Sequence, residues 1–180
     1  HWQAEQDHTP AIRDLVRFMQ VIQHQRVARG EARRPWVFKT PHHLMGALGG
    51  LLSVFPDVKL VMTHRDVGQV LPSYCSMCAS LSVNSSTTYR KEDQGAHWTR
   101  RFKDGLARLE AIRVTLPPSQ IIDVRYDETV SDPLGIGGRI MEALGLGFSD
   151  ADRAAMEASI AANARETRPR HKYSAADFGL

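Results

Sequence analysis

Only two cysteines occur in the 180 residues, Cys75 and Cys78, and no signal peptide is recognisable. A disulfide framework is therefore excluded, and a reducing compartment is expected. No apolar run approaches the ~20 residues of a bilayer-spanning helix, which excludes such a span and makes the cytoplasm the expected location. Lysine is scarce, with five against eighteen arginines. That bias fits a GC-rich bacterial genome and says little about function. Neither an internal repeat nor an interdomain linker is visible, which leaves one domain.

What is present suffices for a real core, since 42% of the residues are apolar and 24% charged. Net charge is only +3, but the pI is about 9.1. Basic clusters at Arg33-Arg34, Arg100-Arg101 and from Arg168 to Lys172 favour an anionic ligand. Such clusters are more often simply a solvated charged face, and no nucleic-acid partner is expected.

Periodicity gives an alternation of strands and helices. Thr9 can cap a helix with Pro10 at its first position, and Ile12, Leu15, Val16, Met19 and Ile22 form its core stripe. Trp36 to Lys39 reads as a short buried strand, and His43 to Val54 as a buried crossover helix. Val58 to Thr63 is near-continuously apolar, as a central parallel strand is. A helix is predicted from Val67 to Leu81, with Pro72 kinking it or marking its first regular turn, then a loop from Val83 to Thr88. A long amphipathic helix covers Glu92 to Leu116, and Ile121 to Val124 is the third strand. Tyr126 to Pro133 reads as a turn, Ile136 to Leu144 as a helix, and Ser149 caps a last helix to about Ala164. The pattern implies a three-layer α/β domain of parallel strands flanked by helices.

In such sheets ligands bind beyond the carboxyl ends of the strands, where Lys39, Arg65 and Tyr126 all fall. Lys39 is followed by Thr40, Pro41, His42 and His43. Arg65 and Ser73 lie eight residues apart, which suits a strand end and the following helix converging on one phosphate. Each assignment has a plainer rival. Lys39 can be merely solvated, His42 and His43 a capping or surface pair, and Tyr126 part of the core. Arg65 can pair with Asp66 or Asp127. His64 and His97 read as hydrogen-bonded structural residues. Cys75 and Cys78 form a C-x-x-C that could be redox-active or half a zinc site with His42 and His43. Their place inside a helix favours packing as small apolar side chains, and no metal is expected.

The stretches WVFKTPHHL, FPDVKLVMTHRDVGQVLPS and VRYDETVSDP, with a basic tail ending in HKY and FGL, resemble the sulfotransferases that use 3′-phosphoadenosine 5′-phosphosulfate. The resemblance runs from the helix before Trp36 to the last residues and rests on order and spacing together. It implies a P-loop-like fold and an enzyme moving a sulfuryl group to an acceptor hydroxyl. It places the donor's 3′-phosphate on Arg65 and Ser73, the sulfuryl group on Lys39, and the adenosine near Tyr126, with Asp132-Pro133 closing that motif. A histidine just after the lysine serves as base, which points to His43 or His42. The closing basic loop falls on Arg168, Arg170 and Lys172.

One departure stands out. The family's first strand feeds a Gly-rich loop with basic and hydroxyl residues that holds the 5′-phosphosulfate, and no such loop occurs here. The only glycine-dense stretch, from Gly46 to Gly50, has neither residue type. With His1 in place of a methionine, residues 1–180 are expected to be the C-terminal portion of one sulfotransferase domain, without its first strand and donor loop and inactive alone. Its partners would be the preceding segment and a small-molecule, carbohydrate or lipid acceptor. Two other readings remain at this point: a P-loop-like kinase acting on a nucleotide or small alcohol, and a non-catalytic nucleotide-binding module.

Overall fold

The computed structural model describes residues 5–40, 43, 46–82, 86–163 and 172–180. The chain divides into two compact units, residues 1–58 with 101–116, and residues 59–100 with 117–180.

The first unit is helical. Helix α1 spans Thr9–Ala28. Its N-cap is His8, and the Asp7 carboxylate accepts from the Thr9 backbone N–H at 2.9 Å. The cap therefore lies before Thr9, because Asp7 supplies the acceptor that Thr9 was expected to provide. Of the predicted stripe only Met19 is buried, while Ile12, Leu15, Val16 and Ile22 are half-buried. Helix α2 covers Leu48–Val54 rather than starting at His43, because Gly46 takes φ 123° and breaks the helical path. Leu48 and Leu51 are its buried face, and Thr9 Oγ1 meets Ser53 Oγ at 3.1 Å where α2 packs on α1.

Trp36 to Lys39 is not a strand. It runs without regular structure and is exposed, Val37 at 84%. An apolar run becomes a strand only where a neighbour takes its N–H and C=O groups, and no described strand pairs with this one. Trp36 and Phe38 instead stack on each other, centroids 6.3 Å apart.

The second unit holds the sheet. Strand β1, Leu60–His64, pairs in parallel with β2, Ile121–Arg125, in the register Leu60 to Ile121 through His64 to Arg125. Parallel neighbours need a crossover. Here it runs through α3 (Val67–Ser82), wholly in this unit, and α4 (Gln94–Arg113), which belongs to this unit up to Arg100 and to the first from Arg101. Pro72 sits inside α3 and is buried with Leu71 and Cys75. Only residues 86–88 of the expected loop after α3 are described.

The expected turn after β2 is a short helix, α5, Tyr126–Ser131. The Thr129 hydroxyl donates to the Arg125 carbonyl at 2.9 Å, and acidic Asp127 and Glu128 occupy the first turn, where the helix dipole favours them. Helix α6, Pro133–Ala143, begins where Asp132 accepts from the Gly135 N–H at 2.8 Å. Helix α7, Asp150–Ala162, carries the predicted Ser149 cap as a full capping box with Asp152. Val124, at 2% exposure, and Ile136 and Phe178 complete the core of this unit.

Candidate functional site

β1 and β2 end side by side, with His64 opposite Arg125 as the last pair. The next residues outward are Arg65 and Tyr126, at the carboxyl edge where parallel sheets take their ligands. The guanidinium carbon of Arg65 stands 4.3 Å from the centroid of the Tyr126 ring, a cation on an aromatic face. Arg65 Nε and Nη2 both donate to Gln69 Oε1, at 3.2 and 3.0 Å. Gln69 lies in the first turn of α3, and the half-buried Ser73 follows four residues later on the same helical face.

The acids around this cluster are engaged elsewhere. Asp66 Oδ1 accepts from the Gly68 N–H at 3.0 Å and so caps the start of α3. Asp127 accepts from Arg125 Nε and Nη2 at 3.1 and 2.8 Å. That pairing holds the Asp127 carboxyl below its ordinary range and raises Arg125. Asp123 Oδ1 lies 2.6 Å from His64 Nε2. Neither carboxylate proposed as a rival partner for Arg65 therefore takes it. Arg17, Arg26, Arg29, Arg90, Arg125 and Arg139 each have a carboxylate within 3.7 Å. Arg65 instead rests on a neutral amide and a neutral ring, and among the described residues no carboxylate compensates its positive charge.

Of the other residues singled out in the sequence, Lys39 is exposed and His43 half-buried with its Nδ1 buried; both belong to the first unit. His42, Arg168 and Arg170 lie outside the described residues, and Lys172 is exposed. His97 packs edge-on against Trp98, whose ring also meets Tyr74 at 4.7 Å. On α3 Cys75 is buried and Cys78 half-buried. Burial raises both thiols, that of Cys75 further through its neighbour Cys78, so neither is an activated nucleophile. Sequence reasoning missed Gln69. Its signal was positional, since Gln69 and Ser73 lie four apart on one face of α3 and Arg65 precedes Gln69 by the same interval.

The model of the sulfotransferase family matches residues 1–150. The chain belongs to this family. Two sulfotransferases named omega-hydroxy-beta-dihydromenaquinone-9 sulfotransferase Stf3, from Mycobacterium bovis and Mycobacterium tuberculosis, are each 27% identical over 139 residues, 75% of this chain and 33% of theirs. Crystal structures of two further sulfotransferases superpose on it. STF1 from Mycobacterium tuberculosis is 34% identical with a TM-score of 0.81, over 99% of this chain and 44% of that one. STF9 from Mycobacterium avium, 22% identical with a TM-score of 0.84 and the same coverage, shares the fold. The chain thus spans about a third of the length of the curated sulfotransferases that it matches.

Proposed function

We propose that the full-length protein transfers a sulfuryl group from 3′-phosphoadenosine 5′-phosphosulfate to a hydroxyl of an acceptor. The acceptor hydroxyl attacks sulfur as the bond from sulfur to the donor's phosphate oxygen breaks in line with it, and the hydroxyl proton passes to a histidine, His43 or His42. Positioning and charge stabilisation supply most of the effect in such a transfer, as in phosphoryl transfer. Lys39 offers its ammonium to the charge on the transferring group. Arg65 and Ser73 take the 3′-phosphate. Tyr126 stands beside the adenosine, and Arg168, Arg170 and Lys172 close over the phosphate. No metal is needed in this scheme, and the reaction is placed in the cytoplasm.

The observation that carries this reading is the uncompensated charge of Arg65 at the exit of β1. A guanidinium with no carboxylate partner among the described residues, beside a helix face bearing a serine, suits a dianionic phosphate. The named activity of the Stf3 relatives toward a menaquinone derivative favours a lipid alcohol as the acceptor class.

Calorimetric titration of the full-length protein with adenosine 3′,5′-bisphosphate, adenosine 5′-phosphate and ATP tests the donor. The bisphosphate should bind most tightly, and Arg65→Ala should weaken it by ~1.5–3 kcal/mol while hardly touching adenosine 5′-phosphate. A preference for ATP favours the kinase reading, and equal losses for the two adenosine ligands sink the assignment of Arg65. Incubation with labelled donor and a prenyl alcohol, a phenol or a sugar then identifies the acceptor class.

A further inference from the structure

We infer that Gln69 is a positioning residue for Arg65: it fixes the guanidinium so that the end-on fork of Nη1 and Nη2 is presented to the anion while the positive charge is kept intact. This rests on the reading that Arg65 holds the donor's 3′-phosphate. A guanidinium carries five N–H groups, one on Nε and two on each Nη. Gln69 Oε1 takes the Nε–H and one N–H of Nη2. Three donors are left by this contact, two on Nη1 and one on Nη2, and one from each nitrogen makes the end-on pair that matches two phosphate oxygens.

The Tyr126 ring, 4.3 Å from the guanidinium carbon, supports the same plane from its face. Edge and face are thus both fixed, which confines a long side chain that would otherwise sample many rotamers. The chemical type of residue 69 matters as much as its reach. A glutamate could hold the same edge in the same place, but it would cancel the charge that draws in phosphate. The pattern of neighbouring acids points the same way, since Asp66 is turned to the α3 backbone and Asp127 to Arg125.

A competing role predicts the opposite sign. If Gln69 merely occupies the Nε and Nη2 edge until phosphate displaces it, removing its amide should tighten binding.

Titration of the full-length protein and its Gln69→Leu, Gln69→Glu and Arg65→Ala variants with adenosine 3′,5′-bisphosphate and adenosine 5′-phosphate separates these outcomes. Gln69 is exposed, so both of its variants should keep the fold. Gln69→Leu should weaken the bisphosphate by about five- to tenfold and leave adenosine 5′-phosphate unchanged, as loss of one hydrogen-bonding partner of a charged group implies. Gln69→Glu should weaken it further, by about thirtyfold or more, although glutamate is nearly isosteric and a purely structural role would tolerate it. Unchanged or tighter binding by Gln69→Leu overturns the positioning role, and so does Gln69→Glu binding no more weakly than Gln69→Leu. A loss in Arg65→Ala with none in Gln69→Leu leaves the phosphate reading standing. No loss in Arg65→Ala overturns the phosphate reading itself.

Discussion

His64 Nε2 and Asp123 Oδ1 lie 2.6 Å apart, joining the last residue of β1 to the middle of β2. Their ladder partners are other residues, Arg125 for His64 and Met62 for Asp123, so the contact runs diagonally over one face of the sheet. It ties together the strand ends from which Arg65 and Tyr126 emerge. The two side chains are 42% and 39% exposed, which lets water screen the pair. Asp123→Ala should therefore lower the unfolding free energy by only ~0.5–1 kcal/mol in urea titration. A loss of several kcal/mol would show that the pair is a structural keystone and not a surface tie.

Residues 176–180 are built into the second unit through close backbone approaches. Gly179 takes φ 69°, and a Cβ there would run into the Glu92 carbonyl; a Cβ on Gly95 would meet the Phe178 carbonyl and the Leu180 side chain. Phe178 beside them is 4% exposed. Gly179→Ala should destabilise by at least ~1–2 kcal/mol, the usual cost of a left-handed non-glycine residue. It should also open the segment around Phe178 to limited proteolysis by an endoprotease at a temperature where the wild type resists. Resistance equal to the wild type would mean that the tail is not held by this contact.

Alkaline pH should weaken the fold, and the direction follows from three groups on or near α3. Burial raises the thiols of Cys75 and Cys78, and burial with the two thiols nearby raises the phenol of Tyr89. The folded protein thus holds these protons more tightly than the unfolded chain. Their contribution to stability is complete below the ordinary thiol value of 9.0 and is lost as pH rises through the raised values. The urea midpoint should be flat from about pH 7 to 8.5 and fall towards about pH 10, and Cys75→Ala should flatten part of that fall. A midpoint that rises over the same range contradicts the assignment.

The elements that could be read from sequence are those whose signal is local. β1 was legible because a continuous apolar run ending in His64-Arg65 has few other meanings, and the α7 start because Ser149 and Asp152 form a capping box from residues three apart. Trp36 to Lys39 misled because its apolar pattern is that of a strand, while pairing depends on a neighbour that the pattern does not contain. Tyr126 to Ser131 misled because Ser, Asp and Thr suit turns, yet here Thr129 returns its hydroxyl to the Arg125 carbonyl and the acids meet the helix dipole. In the site, the strand exits pointed to Lys39, Arg65 and Tyr126 and the eight-residue spacing to Ser73, and of these the structure sets Arg65 against Tyr126. The identity of the Arg65 partners was not legible, because Asp66 beside it and Asp127 next to Tyr126 were candidates carrying the opposite charge, and only geometry shows them engaged elsewhere.

Lys39 and His43 stand four residues apart and should fail in different ways. The ammonium of Lys39 is proposed to stabilise charge on the transferring sulfuryl group, an effect that does not depend on proton transfer to the enzyme. Lys39→Ala should lower the catalytic rate at every pH with little change in donor affinity. His43 is proposed as the base, which works only while its imidazole is neutral. Its removal should cost ~10²- to 10⁴-fold in rate and also erase the acidic limb of the pH profile. His42→Ala is the paired measurement, because a capping or surface role predicts a small stability loss and an unchanged profile. Rate against pH for the three variants of the full-length enzyme, with an identified acceptor, reads these differences directly. If His43→Ala keeps the wild-type profile while His42→Ala loses it, the base is His42. If both keep it, histidine does not accept the proton, and the limb belongs to a group outside this pair.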